Sequence, residues 1–337
     1  MDIAHVYLNG SADAVEFCPH ESFVNILAAA TYTLQEGEKP SRNGSIYIFN
    51  VERETRKLRE LCCHDTAGVL DIKWNPNRPI LGIACADGRL RVHQFNPPSE
   101  NTSTNSVLKQ LSIETMTNSL CLSMEWSPSG DSIAIGTSDG CVSIASVSES
   151  KLVKTSEWKA HDYEVWGVSY EPRDSNCIYT CSDDCRFLCW DVRESPPTIV
   201  FEKAKEHKMG VCCVSKSPHD SNEVVTGSYD EHLRVWDVRS LSAPVLEEKL
   251  LLGGGVWKVK HHPSHSGVIL AACMHNGFAV VGIEDGTGKL LETYKNHESL
   301  CYGADWQRSK IESSNMVATC SFYDRLLRVW TPNLQFD

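Results

Sequence analysis

Apolar and polar side chains alternate along the chain in short runs separated by turn residues, as in Asp131-Ser132-Ile133-Ala134-Ile135-Gly136, then Thr137-Ser138-Asp139-Gly140, then Cys141-Val142-Ser143-Ile144. A period of two with Gly, Asp and Ser punctuation predicts half-buried β-strands joined by tight turns. No helical period competes with it. No run of 18 apolar residues occurs, so no transmembrane helix is expected.

The pattern repeats on a longer scale. An aromatic residue, a spacer and a proline recur at Phe17-Cys18-Pro19, Trp74-Asn75-Pro76, Trp126-Ser127-Pro128 and Tyr170-Glu171-Pro172. Degenerate copies stand at Lys216-Ser217-Pro218 and His261-His262-Pro263, and Trp306-Gln307-Arg308 has lost its proline. The intervals are 57, 52, 44, 46, 45 and 45 residues. Repeats of this length made of strands predict the blades of a propeller. Trp190-Asp191 and Trp236-Asp237 carry the Trp-Asp signature, with Trp330-Thr331 an eroded copy, and Asp184, Asp230 and Asp324 lie six residues before each tryptophan. Together with His161, His207 and His297, and with the matching serines Ser182, Ser228 and Ser321, they predict a buried hydrogen-bond network within a blade, which is structural rather than catalytic.

These features predict an all-β, seven-bladed WD-repeat propeller spanning residues 1–337 as one domain. A ring avoids open sheet edges. Seven residues follow Trp330, too few for an outer strand, so Ile3-Ala4-His5-Val6-Tyr7-Leu8 is expected to complete the seventh blade. Residues 34–44 and 96–106 read as long exposed turns.

Composition narrows the function classes. The net charge of -12 and pI near 5.5 argue against direct nucleic-acid binding, which draws on clustered Lys and Arg; they either suit a basic or cationic ligand or only keep the protein soluble. The N-terminus lacks the basic and apolar regions of a signal peptide, so the 15 cysteines are expected as reduced thiols of a cytosolic or nuclear protein. Cys181, Cys185 and Cys189 recur every four residues, a spacing that matches no familiar zinc site, so neither metal nor cofactor is expected. The string Gly136-Thr137-Ser138-Asp139-Gly140 has the letters of a nucleophile elbow, but it falls on a hairpin turn where an elbow needs a strand-to-helix turn.

In a propeller the start of each innermost strand and the turn between its second and third strands face one mouth of the channel. Counting back four residues from each anchor gives Asp13, Leu70, Leu122, Trp166, Cys212, Trp257 and Tyr302. Trp166, Trp257 and Tyr302 thus share one rim, where ring faces attract a quaternary ammonium or plug the channel. Near it lie Glu164, Gly254, Gly255, Cys273, His275 and Tyr323. His275 holds the slot of the structural aspartate, either as a replacement for its turn hydrogen bond or as a base near neutral pH.

Six strings are more specific than the general repeat: His207-Lys-Met-Gly-Val-Cys212, Gly227-Ser-Tyr-Asp-Glu-His232, Gly254-Gly-Val-Trp257, Ala271-Ala-Cys-Met-His-Asn-Gly-Phe278, Tyr302-Gly-Ala-Asp-Trp306 and Ala318-Thr-Cys-Ser-Phe-Tyr-Asp324. On them the chain resembles the diphthine methylesterases, once named diphthine methyltransferases. The resemblance implies a cytoplasmic, monomeric hydrolase that removes the methyl ester from methylated diphthine on elongation factor 2, a substrate carrying a trimethylammonium group, with no membrane partner. It supplies no catalytic residues. Ester hydrolysis needs an activated nucleophile and a place for the oxyanion. The expected division of labour is His275 activating water or a thiol such as Cys273 or Cys212, Glu164 holding the ammonium or orienting the base, and the Gly254 and Gly255 amides receiving the oxyanion. A non-catalytic scaffold and a methyl-lysine reader are the rival classes.

Overall fold

The computed structural model describes residues 1–37, 40–98, 104–148, 151–284, 286–308 and 315–334. Seven antiparallel sheets follow one another round a ring, making a seven-bladed β-propeller. Their innermost strands are Ala12–Phe17, Val69–Trp74, Cys121–Trp126, Val165–Glu171, Val211–Lys216, Lys258–His261 and Cys301–Trp306. These carry the anchor residues of the repeat.

Closure follows the sequence expectation. Asp2–Tyr7 pairs antiparallel with Leu326–Trp330 and forms the outer strand of the seventh sheet, beside Val317–Ser321 and Cys301–Trp306. Asp2 fastens it, accepting hydrogen bonds from the Tyr294 hydroxyl and, at 3.0 Å, from Asn296.

The core lies between blades. Ile48, Leu61 and Ala28 of the first blade pack with Trp74, Leu81 and Ile83 of the second, and Phe17 and Phe49 of the first pack with Ala318 and Val329 of the seventh. Polar bonds cross the same seams: the indoles of Trp74, Trp126 and Trp306 donate to the carbonyls of Glu16, Lys73 and Lys260 in the preceding blade, at 2.9–3.1 Å. Gly303 allows the first and seventh inner strands to meet, since a Cβ there would sit 2.9 Å from the Val15 nitrogen.

The intrablade network is present, with one change. The hydroxyl linking indole to imidazole is a threonine: Thr180 joins Trp190 to His161, Thr226 joins Trp236 to His207, and Thr319 joins Trp330 to His297. Each threonine lies two residues deeper in its strand than the expected serine, within reach of the indole on the next strand. Ser228 instead donates to the Gly210 carbonyl, and of the three serines only Ser321 bonds its histidine.

The expected turn at 34–44 is partly sheet. Thr33–Gln35 pairs with the start of Ser41–Glu52, prolonging the first blade outward. Of the stretch 96–106, Asn96 bonds Val107 across the loop base, and residues 99–103 lie outside the described residues.

Candidate functional site

One mouth of the channel is aromatic and acidic. The Trp166 and Trp257 ring centroids are 5.1 Å apart, and Tyr302 stacks on Trp257 at 4.7 Å and 30°. The register count therefore placed these three side chains together. Tyr229 approaches Trp257 at 6.1 Å, while Phe322 extends the arc from Tyr302 at 5.4 Å to Tyr32 at 6.3 Å. Tyr323 leans edge-on against Phe322 at the end of this arc and is 72% exposed.

Rings this close leave no space between them. A trimethylammonium group could only rest on the outward faces and edges, within the ~6 Å of a centroid at which the quadrupole attracts a cation. Trp166, Trp257 and Tyr302 are all half-buried and offer such surface.

Tyr32, Tyr229 and Phe322 were missed by the register count. Each directly follows the last residue of its blade's second strand, after Thr31, Ser228 and Ser321. Asp183 holds the same slot in the fourth blade, after Ser182. That slot is readable in the sequence once the ends of the second strands are aligned.

Carboxylates flank the arc. The Trp166 indole donates to Asp183 at 3.2 Å, and burial, with Glu164 and Asp184 nearby, raises the Asp183 carboxyl above its usual range. Glu164 is half-buried at the entrance to the same inner strand, its carbonyl accepting from the Asp183 amide. Asp13 stands on the rim of the first blade, 5% exposed, and burial pushes its carboxyl up to about 8.

The loop Gly253-Gly254-Gly255 lies against the turn that carries His275. A Cβ on Gly254 would sit 2.2 Å from the Cys273 carbonyl oxygen, so only glycine allows this approach. Gly254 and Gly255 are buried, and among the described residues neither amide has a hydrogen-bond acceptor. His275 is exposed and likewise has no hydrogen-bond partner among the described residues. It does not replace the capping aspartate. Asn276 holds this turn, its side chain donating to the Leu252 carbonyl.

The two thiols lie elsewhere in the packing. Cys273 is 1% exposed with its Sγ 3.7 Å from the Ala271 carbonyl, and burial pushes it up to about 12. Cys212 is 3% exposed, points its Sγ at the Gly210 carbonyl at 3.7 Å and is raised further still by burial. Burial opposes thiolate formation, which a nucleophilic cysteine requires. The structure thus brings neither thiol to the exposed His275.

Below the mouth the channel is lined with ion pairs. Lys258 of the sixth blade reaches across to Asp71 of the second at 3.1 Å, and Lys260 pairs with Glu16 and Asp305 at 3.0 and 3.1 Å. The space here, about 320 Å³, runs from Trp166 past these ion pairs to Pro76, Pro128, Pro172, Pro218 and Pro263. Lys73, Lys258 and Lys260, which line it, are each paired with a carboxylate of a neighbouring or facing strand.

Fold and repeat signature together define a WD-repeat propeller with an acidic aromatic mouth. Residues 55–94 and 199–237 match the WD domain, G-beta repeat family, and 102–181 match the Anaphase-promoting complex subunit 4 WD40 domain. A chain of a solved mitotic checkpoint complex has the same fold, with a TM-score of 0.74 at 16% identity over 97% of this chain and 90% of that one.

Full-length relatives are more specific. The diphthine methyltransferase homolog of Dictyostelium discoideum is 31% identical over 97% of this chain and 98% of its own length. The diphthine methyltransferases of Schizosaccharomyces pombe and Mus musculus are 29% and 34% identical, covering 96% and 88% of this chain and 95% and 67% of their own lengths. The chain belongs to the diphthine methyltransferase family of WD-repeat proteins.

Proposed function

We propose that this chain acts in diphthamide biosynthesis as a carboxylic ester hydrolase, removing the methyl ester from methylated diphthine on elongation factor 2 and releasing methanol. The observation that carries this reading is the meeting of Trp166, Trp257 and Tyr302 at one mouth, flanked by the carboxyls of Glu164 and Asp183. Ring faces and carboxylates are the groups that bind a trimethylammonium in water, each ring contact contributing roughly 0.5–2 kcal/mol.

The remaining groups fit the chemistry of the adjacent ester. The Gly254 and Gly255 amides, without an acceptor among the described residues, are donors for the oxyanion of a tetrahedral intermediate. His275, exposed and with no hydrogen-bond partner among the described residues, takes a proton from the attacking water, and Glu164 balances the ammonium. Tyr323, exposed at the end of the arc, covers the bound side chain. Water is preferred to Cys212 or Cys273 as nucleophile because burial keeps both thiols protonated. The protein acts as a cytoplasmic monomer on its protein substrate.

Incubating the purified chain with elongation factor 2 bearing methylated diphthine tests the reading. Ester hydrolysis lowers the mass of the modified peptide by about 14 Da with one methanol released. Unchanged mass with retained binding of a trimethyl-lysine peptide would favour a methyl-lysine reader, which would use the same rim. A mass gain that requires a methyl donor would favour the transferase activity in the relatives' names.

A further inference from the structure

Asp183 ends the second strand of its blade in the slot that holds Tyr32, Tyr229 and Phe322 elsewhere, so blade four brings a charge to the aromatic arc where others bring a ring. Two blades fix its carboxyl. The Trp166 indole, from the inner strand of the same blade, donates to Oδ1 at 3.2 Å. At the start of the next blade, Gly210 comes so near that a Cβ there would sit 2.2 Å from that same oxygen. Glycine at 210 thus leaves the carboxyl its place.

The neighbouring acids are engaged differently. Among the turn aspartates at this end, Asp162 and Asp184 are paired with Arg186, Asp230 with Arg234 and Asp87 with Arg91, while Asp324 accepts from Ser321. Glu164 has no cation among the described residues, but no donor among them holds its carboxyl either. The Asp183 carboxyl is held by the indole, is exposed, and has no ion-pair partner among the described residues.

We propose that Asp183 is the specificity-determining residue of this mouth, its carboxylate making the rim select a quaternary ammonium over an uncharged group of the same shape. This rests on the reading above, which brings a trimethylammonium to the rim. An indole N–H lies in the plane of its ring, so the carboxylate stands at the edge of Trp166 and leaves the face to methyl groups. A quaternary ammonium has no N–H and takes nothing from that bond.

The cation meets the ring quadrupole and the carboxylate together. The hydrogen bond from indole to carboxylate also polarises the ring in the direction that attracts a cation. A tert-butyl group gains only the apolar contact. Burial raises the Asp183 carboxyl, the Trp166 bond opposes this, and Glu164 and Asp184 raise it further. A bound cation relieves that repulsion.

The experiment uses the full chain and two probes, choline and the alcohol in which tert-butyl replaces its trimethylammonium, with binding read by quenching of tryptophan fluorescence. The wild type is expected to bind choline more tightly, by a margin that narrows as salt is added. D183N should lower choline affinity by about 5- to 10-fold and leave the uncharged probe unchanged, which shows that the mouth is intact. G210A keeps the charge but pushes the carboxyl from its place, so it should remove part of the same margin; it decides alone if D183N does not fold. A wild type that does not prefer choline, a margin undiminished in D183N, or a parallel loss of both probes would overturn the assignment. Methanol release judges the hydrolase reading separately: its absence with choline selection intact sinks that reading alone, and its presence with a D183N margin equal to wild type sinks only this inference.

Discussion

His275 is exposed, makes no hydrogen bond among the described residues and leaves its turn to be held by Asn276. Replacing it should therefore separate chemistry from folding. H275N is expected to lower methanol release by about 10²–10⁴-fold, the range for removing a general base, with an unchanged melting temperature. A folded variant with full turnover removes the assignment. Asp13 behaves oppositely, since its raised carboxyl links proton binding to folding. With a folded value of about 8 and an ordinary value of 3.8 when unfolded, unfolding releases a proton between those limits. The contribution to stability is thus complete below about pH 4 and is lost as pH rises to about 8. Thermal melts between about pH 5 and about pH 9 should show D13N gaining on the wild type as pH rises; parallel curves would show that the carboxyl is ordinary in the fold. Trp166, Trp257 and Tyr302 were legible as rim residues because inner-strand register repeats with the blade. Tyr32, Tyr229 and Phe322 were not, because their slot depends on where each second strand ends, and that varies with the turn.

At the scale of the element, a strand from one end of the chain completes a sheet built from the other. Removing Asp2–Tyr7 would expose the Leu326–Trp330 edge and uncover Ala318 and Val329. An unpaired apolar edge is a template for association, so a chain lacking residues 1–10 should appear as aggregate in size-exclusion chromatography. A soluble truncation with wild-type melting would refute this. Within a blade, Thr226 accepts from the fully buried Trp236 indole at 2.9 Å and bonds His207 at 2.9 Å. T226V keeps the shape but orphans both nitrogens, which should cost about 1–3 kcal/mol in denaturant titration. His207 already lacks a partner at Nδ1 and is driven down to about 3 by burial, so it cannot offset the loss by ionising. The histidine, aspartate and tryptophan of this motif were readable from spacing; the threonine was not, because cross-strand register decides which hydroxyl meets the indole.

The ring as a whole is held across its channel by Lys258 and Asp71, from blades on different sides. Asp71 is 3% exposed, so K258M would leave its buried charge with the Met124 amide and the Lys73 charge but without its ion-pair partner. Because Lys258 keeps some contact with solvent, the expected loss lies near the lower end for such pairs, about 3 kcal/mol, and D71N in the same chain should restore part of it. Urea titration reads both, and one transition is expected if the blades unfold together as one domain; a K258M stability equal to wild type would show the pair to be idle.

Local pattern by itself determined much of this molecule. The period of two set the strands, the recurring anchor set seven blades, and a shortfall at one end pointed to closure by the other, because each depends on neighbours in sequence or on repetition. The extension of the first blade by Thr33–Gln35, the burial of both candidate thiols, the self-packing of the aromatic arc and the burial of Asp13 were decided only by tertiary structure. Burial and hydrogen-bond partnership are properties of what comes to rest beside a residue, and here those neighbours arrive from other blades, some from beyond the channel.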